Sequence, residues 1–163
     1  MKYASLLKND MVNGEGVCVS LFVQGCPHKC PGCFNPESWD FNGGEEVPAD
    51  LKGQIIKAIS ANGLMRNFSI LGGEPLCDEN LQFVHDIISV VRSAYPQIHI
   101  FLWSGYTLEE LQERKDNKTL REILQKIDTL IDGRFIEEER DITLKMRGSK
   151  NQRFINMREI DFS

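Results

Sequence analysis

Short apolar runs alternate with amphipathic segments along most of this sequence, and this alternation limits the fold more than any other feature. The first four runs are each followed within two residues by glycine, as buried strands often are. These runs are Val17–Gln24, Phe68–Leu71, His99–Trp103 and Asp128–Ile131, with a fifth at Arg153–Met157. Continuous apolar strands separated by helices favour a mostly parallel α/β sheet with right-handed crossovers.

The segments between these strands carry helix signals. Leu51–Ser60 has apolar residues on one face at the helical period. Asp78 is the predicted N-cap of a second helix. Thr107 with Glu110 and Thr119 with Glu122 have the spacing of a capping box and predict the starts of two further helices. The helix that follows Thr119 is predicted over Leu120–Lys126. The order strand, helix, strand, helix, strand, helix, strand therefore agrees with the parallel sheet.

Length and charge restrict the class of protein. We expect residues 1–163 to form one domain, because 163 residues is an ordinary domain size. The net charge of −5 argues against nucleic acid or an anionic membrane as the main partner. The longest apolar run falls far short of the roughly 20 residues that span a bilayer, and no signal peptide is recognisable, so we expect a cytoplasmic protein.

Three of the five cysteines lie within eight residues, at Cys26, Cys30 and Cys33. An odd number of cysteines in a reducing compartment does not favour a disulfide framework. The spacing C-x3-C-x2-C allows three thiolates to surround one [4Fe–4S] cluster, with proline and glycine supplying tight turns. One iron then lacks a protein ligand and is open to a small molecule, as the open position of a catalytic zinc site is.

Two other uses of these cysteines are open at this point. A structural zinc site in a non-catalytic interaction module would need a fourth ligand, which His28, Cys18 or Cys77 could supply. A dithiol redox pair would need only Cys30 and Cys33. For Cys18 and Cys77 themselves we predict buried, small hydrophobic roles.

The chemically suggestive motifs each begin where a predicted strand ends. The cysteine loop follows the first strand, Gly72–Pro75 the second, and Ser104 and Asp132 the next two. The carboxyl ends of parallel strands share one edge of a sheet, where ligands bind. We therefore expect these segments to converge on one site.

The cysteine loop together with the Gly-Gly-Glu-Pro segment resembles the radical S-adenosylmethionine (SAM) superfamily. Further segments are similar to the family that activates anaerobic (class III) ribonucleoside-triphosphate reductase: Val12–Gly16, Leu21–Cys26, Cys33–Asn35, Trp103–Tyr106, Asp132–Phe135 and Arg147–Arg153. The resemblance implies an incomplete (β/α) barrel. The length agrees, because a full eightfold barrel needs about 250 residues.

The resemblance also implies the chemistry. Cys26, Cys30 and Cys33 would bind a [4Fe–4S] cluster, and SAM would chelate the open iron through its methionine amino and carboxylate groups. One electron, from a donor such as flavodoxin, would cleave SAM to methionine and a 5′-deoxyadenosyl radical. That radical would abstract hydrogen from a glycine Cα in the large subunit of the reductase. The alternative is a radical SAM enzyme acting on another glycyl-radical enzyme or a small molecule.

Residues expected to bind SAM follow from the same resemblance. Gly32, Cys33 and Phe34 would border the adenine; Gly72, Gly73 and Glu74 would receive the methionine end; and Ser104 and Asp132 would approach the ribose or the carboxylate. Two of these have ordinary alternatives, since Glu74 could stabilise a helix start and Asp132 could be an N-cap or turn residue. Arg147, Asn151, Gln152 and Arg153 could dock the partner or form a solvated tail.

Overall fold

The computed structural model describes residues 2–33 and 36–161, which form a seven-stranded sheet flanked by helices. The strands are β1 (Lys2–Asp10), β2 (Cys18–Val23), β3 (Glu45–Glu46), β4 (Asn67–Gly72), β5 (Ile100–Ser104), β6 (Thr129–Asp132) and β7 (Arg153–Asn156). Their order across the sheet is β3-β1-β2-β4-β5-β6-β7. The four central strands are parallel, and the marginal strands pair antiparallel to their neighbours. Because β3 and β7 remain as edges, the predicted incomplete barrel is confirmed.

A row of aliphatic side chains crosses the centre of the sheet. Leu21 of β2 is in register with Ile70 of β4, which is in register with Leu102 of β5 and then Leu130 of β6. All four are fully buried. The helices that cover the core are α1 (Leu51–Ile59), α2 (Asp78–Ala94), α3 (Leu108–Glu113) and α4 (Lys118–Lys126). This core fixes the strands in register, so their carboxyl ends form a rigid edge.

Local hydrogen bonding decides where the helices begin. The Thr107 capping box is confirmed: its hydroxyl accepts from the Glu110 N–H at 3.2 Å, and the Glu110 carboxylate accepts from the Thr107 N–H at 3.0 Å. The prediction for Thr119 is wrong, because the Asn117 side chain caps α4 two residues earlier, accepting from the Leu120 N–H at 3.1 Å. Asn and Thr are both good caps, and the spacing alone did not separate them.

The start of α2 also differs from the prediction. Cys77 occupies the N-cap position, and Asp78 is the first helical residue. An acidic residue in the first turn still favours the helix, because it faces the positive end of the helix dipole. Nowhere in the described residues is there a helix with the length and apolar character that crossing a membrane requires.

Candidate active site

The cysteine loop leaves the sheet at the end of β2, and the segment after the loop packs back against this point. The Gly25 N–H donates to the Ser38 carbonyl at 2.7 Å, and the Cys26 N–H donates to the Trp39 carbonyl at 3.1 Å. The buried amide of Gln24 donates to two more carbonyls of the returning segment, at 2.9 and 2.8 Å. These bonds close the base of the loop and fix where its cysteines begin.

The three cysteines of the loop line one cavity of about 600 Å³ at the carboxyl ends of the strands. The Cys33 N–H donates to the Cys30 carbonyl at 3.1 Å, which makes the tight turn that the sequence predicts. Among residues 2–33 and 36–161, no three His, Cys, Asp or Glu side chains converge as ligands of a single metal ion. A cubane cluster makes no such demand, because each thiolate binds a different iron. Three thiols facing one roomy cavity therefore fit a [4Fe–4S] cluster.

The suggested fourth zinc ligands are engaged elsewhere. Cys18 is fully buried in β2, and its thiol lies 3.5 Å from the Glu15 carbonyl. The Cys77 thiol is also buried and donates to the Glu74 carbonyl at 3.2 Å. The His28 ring contacts the Glu74 carboxylate. The prediction that Cys18 and Cys77 are buried is confirmed.

The electrostatic environment of the thiols follows from burial. Burial raises the pKa of Cys26 and of Cys30, although neighbouring backbone N–H groups oppose the rise. For Cys30 the opposing N–H belongs to Phe135, in the loop after β6. Burial raises the pKa of Cys77 to about 12, so that thiol is inert. Iron binding must supply the free energy that deprotonates Cys26 and Cys30.

The Gly-Gly-Glu turn after β4 packs directly on the backbone that leads into the cysteine loop. The Gly73 N–H donates to the Val23 carbonyl, and the Glu74 N–H donates to the Gly25 carbonyl, both at 2.8 Å. A Cβ at Gly73 would lie 2.4 Å from the Gly25 oxygen, and Gly72 has a φ of +105°. Glycine is therefore required at both positions. The turn places Glu74 beside the cysteines.

The carboxylate of Glu74 lies in the cavity wall and is almost fully buried. Its Oε1 accepts from the Gly105 N–H at 2.7 Å and lies 2.7 Å from Nε2 of His28. Its Oε2 accepts from the Leu76 N–H and the Ser104 hydroxyl, both at 2.8 Å. A buried carboxylate needs such partners, and here they come from the cysteine loop, the turn itself and the end of β5.

Comparison with known proteins agrees with this arrangement. The family described as "4Fe-4S single cluster domain" matches residues 12–155. The activating protein of anaerobic ribonucleoside-triphosphate reductase from Vibrio cholerae is 37% identical over 153 residues, which is 93% of this chain and 96% of that protein. The protein of the same name from Escherichia coli K12 is 35% identical over 93% of this chain and 96% of its own length. The one from Enterobacteria phage T4 is 32% identical over 94% of this chain and 92% of its own length.

The chain belongs to the anaerobic ribonucleoside-triphosphate reductase-activating protein family. The resemblance predicted from the motifs is therefore confirmed, and so is the [4Fe–4S] cofactor.

Of the other residues predicted to bind SAM, some line the cavity and some do not. Ser104 lines it, although its hydroxyl already donates to Glu74. Gly32 is exposed and packs against the Glu137 side chain, where a Cβ would approach within 2.9 Å. Phe34 lies outside the described residues. The adenine contacts therefore stay a prediction.

Asp132 does not line the cavity of the three cysteines but a second cavity of about 520 Å³, which shares Cys30 and Arg134 with the first. Its carboxylate is fully buried, accepts from the Leu108 N–H at 2.7 Å and pairs with Arg153. Arg153 also reaches Glu109 at 2.7 Å. These contacts join the end of β6 to the first turn of α3, which favours the alternative of a capping role for Asp132 over contact with ribose.

The segment from Arg147 to Arg153 is largely occupied with internal contacts. The Gln152 side chain accepts from the Gly148 N–H at 2.8 Å and donates to the Gly133 carbonyl at 3.0 Å. The Asn151 amide donates to the Arg134 carbonyl at 2.8 Å. These two side chains brace the loop after β6, whose Phe135 N–H faces Cys30. Bracing this loop differs from both roles expected for these residues, which were docking the partner and forming a solvated tail.

The contacts of two polar residues of the site were not predicted from the sequence, although His28 was considered as a zinc ligand. Asn80 is buried on α2, and its amide donates to the carbonyls of Gln24, Gly25 and Glu74 at 3.1, 3.2 and 2.9 Å. Its place on the apolar face of α2, one turn before Val84, is the signal that could have identified it. The second residue, His28, has no comparable local signal.

Proposed function

We propose that this protein uses a [4Fe–4S] cluster and SAM to generate a glycyl radical on an anaerobic ribonucleoside-triphosphate reductase. The observation that carries the proposal is the similarity to activating proteins of this name over 93% of the chain. The cavity gives physical support, because three cysteines and the Gly-Gly-Glu turn face it together.

The residues divide the work as follows. Cys26, Cys30 and Cys33 would each bind one iron, and the fourth iron would accept the amino and carboxylate groups of SAM. When bound and reduced, the cluster supplies the electron that cleaves SAM to methionine and a 5′-deoxyadenosyl radical. Gly72, Gly73 and Glu74 would border the methionine end. A one-electron donor such as flavodoxin belongs to the proposal, because flavins can deliver electrons one at a time.

The large subunit of the reductase would cover the cavity during hydrogen abstraction. Val12 and Ile142 line the cavity and are 74% and 84% exposed. Exposed apolar side chains at the mouth of a site are typical of an interaction surface. A radical must also meet its target hydrogen away from water. We further propose that residues 1–163 act as one domain in the cytoplasm.

Electron paramagnetic resonance tests the proposal. Reconstituted protein, a reductant, SAM and the reductase of the same organism are mixed without oxygen. The expected spectrum is a glycyl doublet that collapses when glycine is deuterated at Cα. A silent spectrum from protein that still cleaves SAM would reject activation of the reductase and favour another radical SAM substrate.

A further inference from the structure

The imidazole of His28 points inward from the cysteine loop. His28 lies between Cys26 and Cys30 in sequence, yet its side chain is only 6% exposed. The ring stands edge-on to Tyr106 with centroids 4.6 Å apart. A Cβ at Gly105 would lie 2.5 Å from the ring, so the ring fills the space that glycine leaves at the end of β5. The imidazole is therefore wedged in place.

The wedged ring bridges the two motifs of the site. Its Nε2 lies 2.7 Å from Oε1 of Glu74, whose side chain is 1% exposed. The other donors to this carboxylate come from Leu76, Ser104 and Gly105, in the turn and at the end of β5. His28 therefore connects the carboxylate to the loop that carries the cysteines.

We propose that His28 is a positioning residue for SAM, acting through Glu74. This inference rests on the proposed function. His28 fixes Oε1 in the cavity wall and so sets the spacing between the cysteine loop and the turn that borders the methionine end. SAM must span that spacing, because its methionine end binds beside the cluster. A shift of about 1 Å in such a group can cost a large factor in binding or rate.

Substitution of His28 should weaken SAM binding without removing the cluster. In His28→Ala the three cysteines remain, so iron content after anaerobic reconstitution should stay near wild type. The dissociation constant of SAM, measured by equilibrium dialysis on the reconstituted protein, should rise about tenfold to a hundredfold, the scale of loss that a displacement of about 1 Å in a positioned group produces. His28→Gln, whose amide can donate to Oε1, should recover most of the affinity.

A second His–Glu pair, between α2 and α4, provides a matched control. Nε2 of His85 on α2 lies 2.9 Å from Oε2 of Glu122 on α4, so it forms a second His–Glu pair away from the cavity. His85→Ala should leave both iron content and SAM affinity unchanged. A loss of affinity in this variant equal to that in His28→Ala would mean that any His–Glu pair has the effect, and would overturn the inference.

A double-mutant cycle tests whether His28 acts through Glu74. Glu74→Gln alone should weaken SAM binding by about tenfold to a hundredfold. If the two residues act as one unit, the double variant should bind SAM within about threefold of the weaker single variant. Additive losses, or wild-type SAM affinity in His28→Ala, would overturn the inference.

Measurements of iron content and SAM binding distinguish a failure of this inference from a failure of the proposed function. Wild-type protein that takes up no cluster, or binds no SAM, would reject the proposed function itself. If wild-type protein binds SAM but the His28→Ala variant loses its iron, only the positioning role is rejected. His28 would then serve the folding of the cysteine loop. None of these measurements requires the reductase.

Discussion

At the scale of single residues, burial separates the cysteines into two groups. Cys26, Cys30 and Cys33 are partly exposed and line the cavity, whereas Cys18 and Cys77 are buried in the core. The raised pKa of Cys77, about 12, keeps that thiol protonated at any ordinary pH. Only the first group can present thiolates to iron without unfolding the chain.

Alanine substitutions should reproduce this division. Cys26→Ala, Cys30→Ala or Cys33→Ala should each abolish reductive cleavage of SAM, because each removes the sole protein ligand of one iron. Cys18→Ala and Cys77→Ala should leave iron content near wild type, as measured with sulfide content after anaerobic reconstitution. Loss of the cluster in Cys77→Ala as complete as in Cys30→Ala, in protein that is still folded, would contradict the assignment.

The sequence was informative at this scale where the signal was local. The three cysteines and the Gly-Gly-Glu turn were recognisable because each motif is contiguous. The contact between His28 and Glu74 was not, because its partners lie 46 residues apart and meet only when β2, β4 and β5 align. Asp132 was ambiguous for a similar reason, since its partner Arg153 lies 21 residues further along the chain and meets it only when β6 and β7 pair.

At the scale of elements, Asp128 joins the amino ends of β5 and β6 to α2. The carboxylate is 4% exposed, accepts from the Ile100 N–H and from Arg92, both at 2.8 Å, and pairs with Arg158. Burial alone would raise the pKa of Asp128, but these hydrogen bonds outweigh it and lower the pKa below its ordinary value. The ionised carboxylate therefore stabilises the fold.

Asp128→Asn should lower the free energy of unfolding by about 2–4 kcal/mol. This is less than for a fully buried pair, because Arg92 is partly exposed and Arg158 mostly exposed. The stabilisation is present above the unfolded pKa and is lost as the pH falls through the lowered folded pKa. The difference between variant and wild type, from urea denaturation, should therefore shrink below about pH 4. Glu113→Gln, at an exposed position of α3, should change neither the free energy of unfolding nor its dependence on pH. A stability of Asp128→Asn equal to that of wild type at neutral pH would contradict this.

Buried strands with continuous apolar runs were predicted well, and β7 was predicted at its observed position, but two exposed strands were missed. β2, β4, β5 and β6 are continuous apolar runs followed by glycine, so their positions agree with the prediction to within one or two residues. β1 was missed because only Asp10 in it is buried and its exposed residues do not alternate regularly. β3 has only two residues, both exposed, and its pairing depends on β1.

At the scale of the whole molecule, we propose that the reductase closes the cavity at the carboxyl ends of the strands. Ile142 is the most exposed of the apolar residues that line it. Ile142→Asp should lower the yield of glycyl radical at least about tenfold relative to the variant's own rate of SAM cleavage without reductase, as for a central interface contact. Met65→Asp, 56% exposed before β4 at the opposite end of the strands, is the control. Equal radical yields from both variants would place the interface elsewhere.

Transfer of the glycine hydrogen itself tests the central claim most directly. The reductase is prepared with glycine deuterated at Cα and mixed without oxygen with the reconstituted, reduced protein and SAM. Mass spectrometry of the first 5′-deoxyadenosine formed should show one deuterium per molecule, because the radical derived from SAM takes its hydrogen from that carbon. Unlabelled 5′-deoxyadenosine, formed at the same rate with and without the deuterated reductase, would contradict the account.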